Sequence, residues 1–122
     1  MKSLALVALG GAIGTLSRFG VNEALPADGL FPLATFSVNI AGSFALGVLV
    51  AATVTRRTGS LRLLLGTGFL GGFTTYSALA VETDTLLRGD HVALGIAYAV
   101  GSVIAGLVAA LAGIAAGSRS RR

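Results

Sequence analysis

Four long apolar stretches limit the fold of this chain more than any other feature of its sequence. They cover about residues 3–24, 32–54, 61–87 and 92–116. Helices of roughly 22 to 27 residues rise about 33 to 40 Å, enough to cross the hydrocarbon core of a bilayer with some tilt. Only 11% of the 122 residues are charged, too few to coat a soluble domain, and the mean hydropathy is +0.87. The sequence therefore predicts a single all-helical membrane domain with four spans.

Composition also excludes several classes of function. The net charge is +4, but the basic residues fall in loops and at the ends instead of along one helix face, which argues against nucleic-acid binding. The chain has no cysteine and one histidine, His91, which removes thiolate metal sites, most zinc sites and Ser-His catalysis. We therefore expect no enzyme chemistry. Lys2 before an apolar run resembles a signal peptide, yet three further spans follow, so we interpret the first as a retained span.

The third stretch contains residues that interrupt helices. Gly71 and Gly72 have poor helix propensity, and the hydroxyls of Thr74 and Thr75 compete for backbone hydrogen bonds. Irregular backbone at membrane depth is tolerated only where it is buried in protein, lines a wet cavity or holds an ion. The run 68–77 therefore predicts a broken third helix and a candidate site.

Polar side chains inside the other spans need partners. Asn39 lies near the middle of the second span, where its amide either holds helices together or binds a ligand. Arg18 is placed to extend toward the outer interface, and Glu82 to pair with Arg88 or Arg18. Neutral donors with aromatic edges suit a small, strongly hydrated anion, whereas carbonyls freed by a helix break suit a hard cation such as Na⁺.

Small residues recur every fourth position along the last span. The stripe consists of Ala97, Gly101, Ala105, Ala109, Gly113 and Gly117. Such a stripe lets two helix backbones approach closely, either within the bundle or between subunits, and the sequence favours neither. Four helices are too few to enclose a wide pore, so we expect the protein to function as an oligomer.

The basic residues indicate the orientation in the membrane. Four spans put both termini and the middle loop on one side, which collects seven basic residues: Lys2, Arg56, Arg57, Arg62, Arg119, Arg121 and Arg122. The opposite side has Arg88 in a loop and Arg18 within its helix. The excess of positive charge predicts that both termini are cytoplasmic.

Three motifs resemble those of the CrcB/Fluc fluoride channels over nearly the whole chain. Residues 10–19, GGAIGTLSRF, look like the family's GGxxGxxxR pattern, and residues 35–44, TFSVNIAGSF, look like its TLxxNxxGxF segment. Residues 68–77, GFLGGFTTYS, are similar to its GFxGGxTTFS signature, and Glu82 falls at the family's glutamate.

The resemblance implies a passive channel that lets cytoplasmic fluoride escape, built as an antiparallel, dual-topology dimer. It also implies a structural, non-transported Na⁺ held by the backbone carbonyls of Gly71 and Thr74 of each subunit. Arg18 and Glu82 would line a vestibule or hold the fold. The implied fluoride pathway comprises Asn39, Tyr76, Ser77, Leu79, Tyr98 and Ser102.

Two departures from the family pattern lead to further expectations. Tyr76 and Leu79 stand where the signature has phenylalanines, so the ring edge is kept at the first position and lost at the second. Seven basic residues against one would also insert the chain mostly one way, which predicts a heterodimer with an oppositely inserted homologue.

Two other functions are alternatives to the channel. A proton-coupled exporter of the small multidrug-resistance type needs a carboxylate deep in the first helix, whereas Glu23 lies at its end. In a non-conducting assembly subunit, the buried polar residues would serve packing only.

Overall fold

The computed structural model describes residues 1–54 and 58–119 and contains four long helical spans. They are α1 (Lys2–Ala24), α2 (Leu33–Thr53), a composite third span (Gly59–Arg88) and α6 (Val92–Arg119). Each is long and apolar enough to cross a membrane. The bounds lie within three residues of those expected from sequence, which confirms an all-helical chain with four candidate membrane spans.

Two prolines and Asp90, whose backbone is in the left-handed region, lie at the ends of the helices. Pro26 disfavours helical geometry at the residue before it, and Leu25 is accordingly extended, with φ −97° and ψ 141°. Pro32, with φ −75°, occupies the N-cap of α2. Asp90 has φ 61°, a conformation that aspartate tolerates better than most residues, and it closes the short turn into α6.

The third span changes geometry along its length. It begins with α3 (Gly59–Leu61), continues as a π-helical segment (Arg62–Leu70), and returns to α4 (Gly71–Phe73) and α5 (Tyr76–Arg88). Between α4 and α5, Thr74 has ψ 160°, and Thr75 has φ −148° and ψ 123°. The third span is therefore one bent element in which two extended residues depart from helical geometry. Gly71 and Gly72, expected to disrupt the helix, are themselves helical.

Glycine allows α1 to lie directly against the third span. A side chain at Gly10 would collide with the Leu64 carbonyl oxygen, and one at Gly14 with the Phe69 carbonyl oxygen. Backbone meets backbone at this contact, as small residues allow between membrane helices. The glycine motif at the start of the chain therefore fixes the position of the π-helical segment.

The second broad contact joins α2 and α6, which run parallel to each other. A side chain at Gly113 would collide with the Phe44 carbonyl oxygen, and one at Gly47 with the Ala110 carbonyl oxygen. By contrast, a side chain at Gly101 would meet nothing within 4 Å, and Ala97 is exposed. The small-residue stripe is thus used within the bundle at its C-terminal end and left open at its N-terminal end.

The described bundle buries few large side chains completely. Val38 and Tyr98 are each 1% exposed, whereas most apolar residues of α6 point outward. Outward apolar side chains are expected of a protein solvated by lipid. Four of the basic residues used to infer orientation, Arg56, Arg57, Arg121 and Arg122, lie outside the described residues.

Candidate functional site

Two cavities meet at the extended residues of the third span. The larger, about 690 Å³, is bounded by the ends of α1 and α5 and by the loop that precedes α2. Its polar lining consists mainly of Arg18, Asn22, Thr35, Thr75, Ser77 and Glu82. We call it the vestibule. The sequence-predicted residues Arg18, Ser77 and Glu82 therefore face one space.

The second cavity is an open groove of about 350 Å³ between α2 and the third span. It is lined by Asn39, Ser43, Gly71, Thr74, Thr75, Tyr76 and Leu79, together with apolar and glycine neighbours. Six of these were singled out from sequence: Asn39, Gly71, Thr74, Thr75, Tyr76 and Leu79. Thr75 lines both the vestibule and the groove, so the two cavities adjoin at this residue.

Asn39 fastens α2 to the extended backbone at Thr75. The Asn39 amide nitrogen donates to the Thr75 carbonyl oxygen at 2.9 Å, and the Asn39 amide oxygen accepts from the Thr75 N–H at 2.8 Å. These two bonds fix which way the amide faces, because the reverse orientation would oppose two donors and two acceptors. Asn39 thus gives the Thr75 N–H an acceptor outside the helix and gives the Thr75 carbonyl a further donor.

The two adjacent threonines play different structural roles. The Thr74 hydroxyl donates to the Leu70 carbonyl oxygen at 2.8 Å, which is local back-bonding along its own helix. The Thr75 hydroxyl caps α5 by accepting from the Ala78 N–H at 3.2 Å, and it lies 3.2 Å from the Ser77 hydroxyl. Thr75 therefore restarts the helix after the two extended residues.

Arg18 reaches the same backbone from α1. Its Nη1 donates to the Thr74 carbonyl oxygen at 3.3 Å, and the side chain is half-buried at the wall of the vestibule. The sequence predicted that Arg18 would extend to the outer interface. The structure instead directs its guanidinium to a backbone oxygen of the third span.

Glu82 is held by two hydroxyl donors from other helices. Its Oε1 accepts from Thr35 Oγ1 at 2.7 Å, and its Oε2 accepts from Tyr98 Oη at 2.6 Å. The expected ion pair of Glu82 with Arg88 or Arg18 is wrong, since Arg88 instead pairs with Asp84 at 2.7 Å, one helical turn away on α5. The side chain of Glu82 therefore links α2, α5 and α6 at the vestibule wall.

The remaining sequence-predicted residues lie at very different depths. Tyr76 is 82% exposed, whereas Tyr98 and Ser102 are 1% and 6% exposed. Tyr98 does not line the vestibule itself but contacts two residues that do, Glu82 through its hydroxyl and Phe31 through its ring. Ser102 lies beyond both cavities, and its buried hydroxyl has no hydrogen-bond partner within the described part of the chain.

Two residues organise this region in ways that sequence reasoning missed. It gave no role to Thr35, and it named Thr75 as a hydroxyl that competes for backbone hydrogen bonds but not as a helix cap. Thr35 lies one helical turn before Asn39, so the helical repeat places both on one face. Thr75 precedes the helical run of α5, a position typical of an N-cap. Both signals were present in the sequence, but neither revealed which group the hydroxyl would contact.

Comparisons with known proteins identify the family of the chain. The model of the family described as CrcB-like protein, Camphor Resistance (CrcB), matches residues 5–114. The chain is 43% identical over 122 residues to a protein named fluoride-specific ion channel FluC 2 from Leifsonia xyli subsp. xyli (strain CTCB07), covering 96% of this chain and 84% of that protein.

Two further relatives cover the chain to a similar extent. A fluoride-specific ion channel FluC from Paracoccus denitrificans (strain Pd 1222) is 47% identical, covering 91% of this chain and 90% of that protein. A fluoride-specific ion channel FluC 2 from Rhodococcus jostii (strain RHA1) is also 47% identical, with 88% and 92% covered. Because the family model spans most of the chain and the relatives align over most of their length, the chain belongs to the CrcB-like protein family.

Proposed function

We propose that this protein is a fluoride-specific channel that lets cytoplasmic fluoride leave the cell passively, without enzyme chemistry. Its relatives are named for this activity, and the family membership supports the same substrate here. The observation that carries the proposal is the pair of adjoining polar cavities that share Thr75. Neutral hydroxyl and amide donors can replace the water shell of a small anion without holding it too tightly to leave.

The proposed path begins in the vestibule and continues along the groove. Arg18 contributes positive charge at the vestibule wall, and the Ser77 hydroxyl lies beside Thr75. Asn39 uses one amide N–H on the Thr75 carbonyl, which leaves its second N–H free to donate to an anion. Tyr76 offers a ring edge at the same groove, whereas Leu79 offers bulk without one.

An antiparallel dimer would complete the path. The groove is open on one side, and Tyr76 beside it is 82% exposed. A single chain therefore supplies only part of a wall that must exclude lipid from a polar pathway. A second, oppositely inserted copy or homologue would cover this face, and the two extended residues of the third span would lie near the centre of the assembly.

A structural Na⁺ is part of the proposal. Gly71 and Thr74 line the same groove, and backbone carbonyls are hard oxygen ligands of the kind alkali cations take. The donor set therefore fits such an ion, with two oxygens from each chain. When bound, Na⁺ would supply a fixed positive charge where the two chains meet. The Arg18 guanidinium already contacts the Thr74 oxygen, so cation and guanidinium would share it.

The charge distribution supports pairing with an oppositely inserted homologue. Seven basic residues on the side of the termini against one in the opposite loop favour a single orientation, with both termini cytoplasmic. Mapping the topology of the chain expressed alone tests this idea. A mixture of both orientations would contradict it and favour a homodimer.

One observation favours the non-conducting alternative. Both polar ends of the Asn39 side chain bind backbone, as expected of a residue that serves packing. A variant that assembles normally but loses flux would exclude a purely packing role for Asn39.

Efflux from liposomes tests the function directly. The purified chain would be reconstituted with fluoride inside and Na⁺ present, and efflux followed with a fluoride electrode against a chloride control. Rapid fluoride-selective efflux is expected. If the well-folded chain is silent alone but active with a co-expressed homologue, the heterodimer is supported. Silence in both conditions would overturn the channel proposal.

A further inference from the structure

Two backbone amides of the third span donate to side chains instead of to the helix. In an uninterrupted α-helix, the amide of residue 75 would donate to the carbonyl of residue 71, and that of residue 78 to the carbonyl of residue 74. Here the Thr75 N–H donates to Asn39 Oδ1 at 2.8 Å, and the Ala78 N–H donates to Thr75 Oγ1 at 3.2 Å.

This exchange releases two carbonyl oxygens beside the groove. Within the described chain, no backbone amide outside the regular helical ladders donates to Gly71 or Thr74, and the contact on the Thr74 oxygen is Arg18 Nη1. The neighbouring Leu70 oxygen differs, because it accepts both the Thr74 N–H at 2.9 Å and the Thr74 hydroxyl at 2.8 Å. An oxygen with two donors is a poor cation ligand, whereas one released from the ladder has lone pairs to offer.

We propose that the Thr75 hydroxyl is a positioning group for the cation site, because it captures the Ala78 amide and so keeps the Thr74 carbonyl available. The inference deepens the proposed function, since it rests on the Na⁺ site described there. Asn39 has the corresponding role for the Gly71 carbonyl through the Thr75 N–H. Thr75 itself touches no ion, and it acts through the oxygens on either side of it.

The side chain at residue 75 determines where the Ala78 amide donates. Any residue there except proline would present a backbone N–H to Asn39, but only a hydroxyl or a similar acceptor can take the Ala78 amide. Thr75→Val keeps the shape and removes the acceptor, so the Ala78 amide is expected to return to the Thr74 oxygen and extend α5 backward. Thr75→Ser keeps the acceptor.

The experiment measures Na⁺-dependent thermal stability of the full-length protein in detergent. NaCl would be titrated against choline chloride at constant ionic strength, and the Na⁺ concentration for half-maximal stabilisation recorded. We expect that Thr75→Val raises this concentration about tenfold, whereas Thr75→Ser matches the wild type. Thr85→Val is the matched control, because the Thr85 hydroxyl donates to the Val81 carbonyl within the same helix and caps nothing.

A double variant tests the recapture of the carbonyl itself. Ala78 lies in the first turn of α5, where proline is tolerated and has no N–H to donate. Thr75→Val with Ala78→Pro should therefore recover most of the Na⁺ affinity lost in Thr75→Val. A double variant as weak as Thr75→Val would overturn the proposal. If Thr75→Val or the double variant does not fold, Thr75→Ser and Ala78→Pro alone are compared with the wild type instead. A raised Na⁺ concentration for half-maximal stabilisation in Thr75→Ser contradicts the role of the hydroxyl.

The outcomes separate this inference from the cation site on which it depends. A wild-type protein that Na⁺ does not stabilise would overturn both. A wild type that responds to Na⁺, with Thr75→Val titrating identically, would overturn the role of Thr75 and leave the cation site standing.

Discussion

Helix α2 uses two of its faces in different ways. One packs against α6, and the other lines the groove with the third span. Along the first, Gly47 and Gly113 bring backbones together so closely that no side chain fits between them. Along the second, Asn39 and Tyr76 line an open space, and Tyr76 is 82% exposed. The first contact is complete within one chain, whereas the second has polar groups and a large exposed side chain that the single chain does not cover.

The comparison separates the contacts that hold the helices together from the polar groups that are available for transport. Close glycine packing contributes van der Waals contact that does not depend on a hydrophobic effect, which is weak between helices in lipid. Polar groups inside the membrane are costly unless they find partners, so they are concentrated where they have a use. Substitutions at the two faces should therefore fail in different ways, the first by loss of the fold and the second by loss of transport.

The largest effect is expected at the α2–α6 contact. Gly113→Val places a side chain against the Phe44 carbonyl oxygen, and the helices can accommodate it only by separating. We expect destabilisation by about 1 to 3 kcal/mol or more and a loss of monodisperse protein. Thermal unfolding by circular dichroism and gel filtration in detergent would measure both.

Gly101→Val is the matched control for that variant, since it lies on the same stripe of α6 with nothing within 4 Å of the added atom. It should leave the fold of the single chain intact. If Gly113→Val and Gly101→Val lose folded protein equally, the small-residue stripe is not packed at one end and open at the other. Loss of dimer alone in Gly101→Val would show that the open end faces another subunit.

The next largest effect is expected for Asn39→Ala. The variant removes the hydrogen bonds of Asn39 to the Thr75 N–H and carbonyl, and leaving the N–H without an acceptor costs about 1 to 3 kcal/mol. Fluoride efflux from liposomes should fall about tenfold to a hundredfold while gel filtration remains normal. Thr53→Val, which removes a hydroxyl bond within α2 at its other end, is the control. Wild-type efflux by Asn39→Ala would contradict the proposed path.

A smaller effect is expected where three helices meet at Glu82. Tyr98→Phe removes the donor of the 2.6 Å bond, and Glu82→Gln leaves one amide oxygen that can accept from Thr35 or Tyr98 but not from both. Each variant should lower efflux about tenfold. Residues in one hydrogen-bonded cluster are not independent, so the double variant should be little worse than either single one. Efflux measured on all four proteins gives the coupling, and simple multiplication of the two losses would indicate that the residues act separately.

The smallest effect is expected at the open side of the groove. Leu79→Phe introduces a ring edge beside the path and should raise efflux about two- to tenfold, whereas Tyr76→Phe keeps its ring and should change efflux less than about twofold. Leu111→Phe, an exposed position on α6 away from the groove, is the control. A loss of efflux in Leu79→Phe would place that side chain where bulk blocks the path.

Much of the site was predictable because its residue types are unusual in a membrane span. Asn39, Arg18 and Glu82 were singled out as polar groups that need partners, and each has one. Their partners were not predictable, because they are backbone groups and hydroxyls brought together from helices far apart in the chain. Glu82 illustrates this point, since complementary charge predicted Arg88 and the structure has Thr35 and Tyr98.

The sequence alone determined the number of spans and their ends, because length and hydropathy decide which segments can cross a membrane and because proline restricts its neighbours locally. It also marked the third span as irregular. Only the tertiary structure decided where within residues 68–77 that irregularity falls, since Thr74 and Thr75 are extended whereas Gly71 and Gly72 are helical. The reason is that glycine merely permits a departure from the helix, whereas Asn39 on α2 supplies the hydrogen bonds that stabilise one.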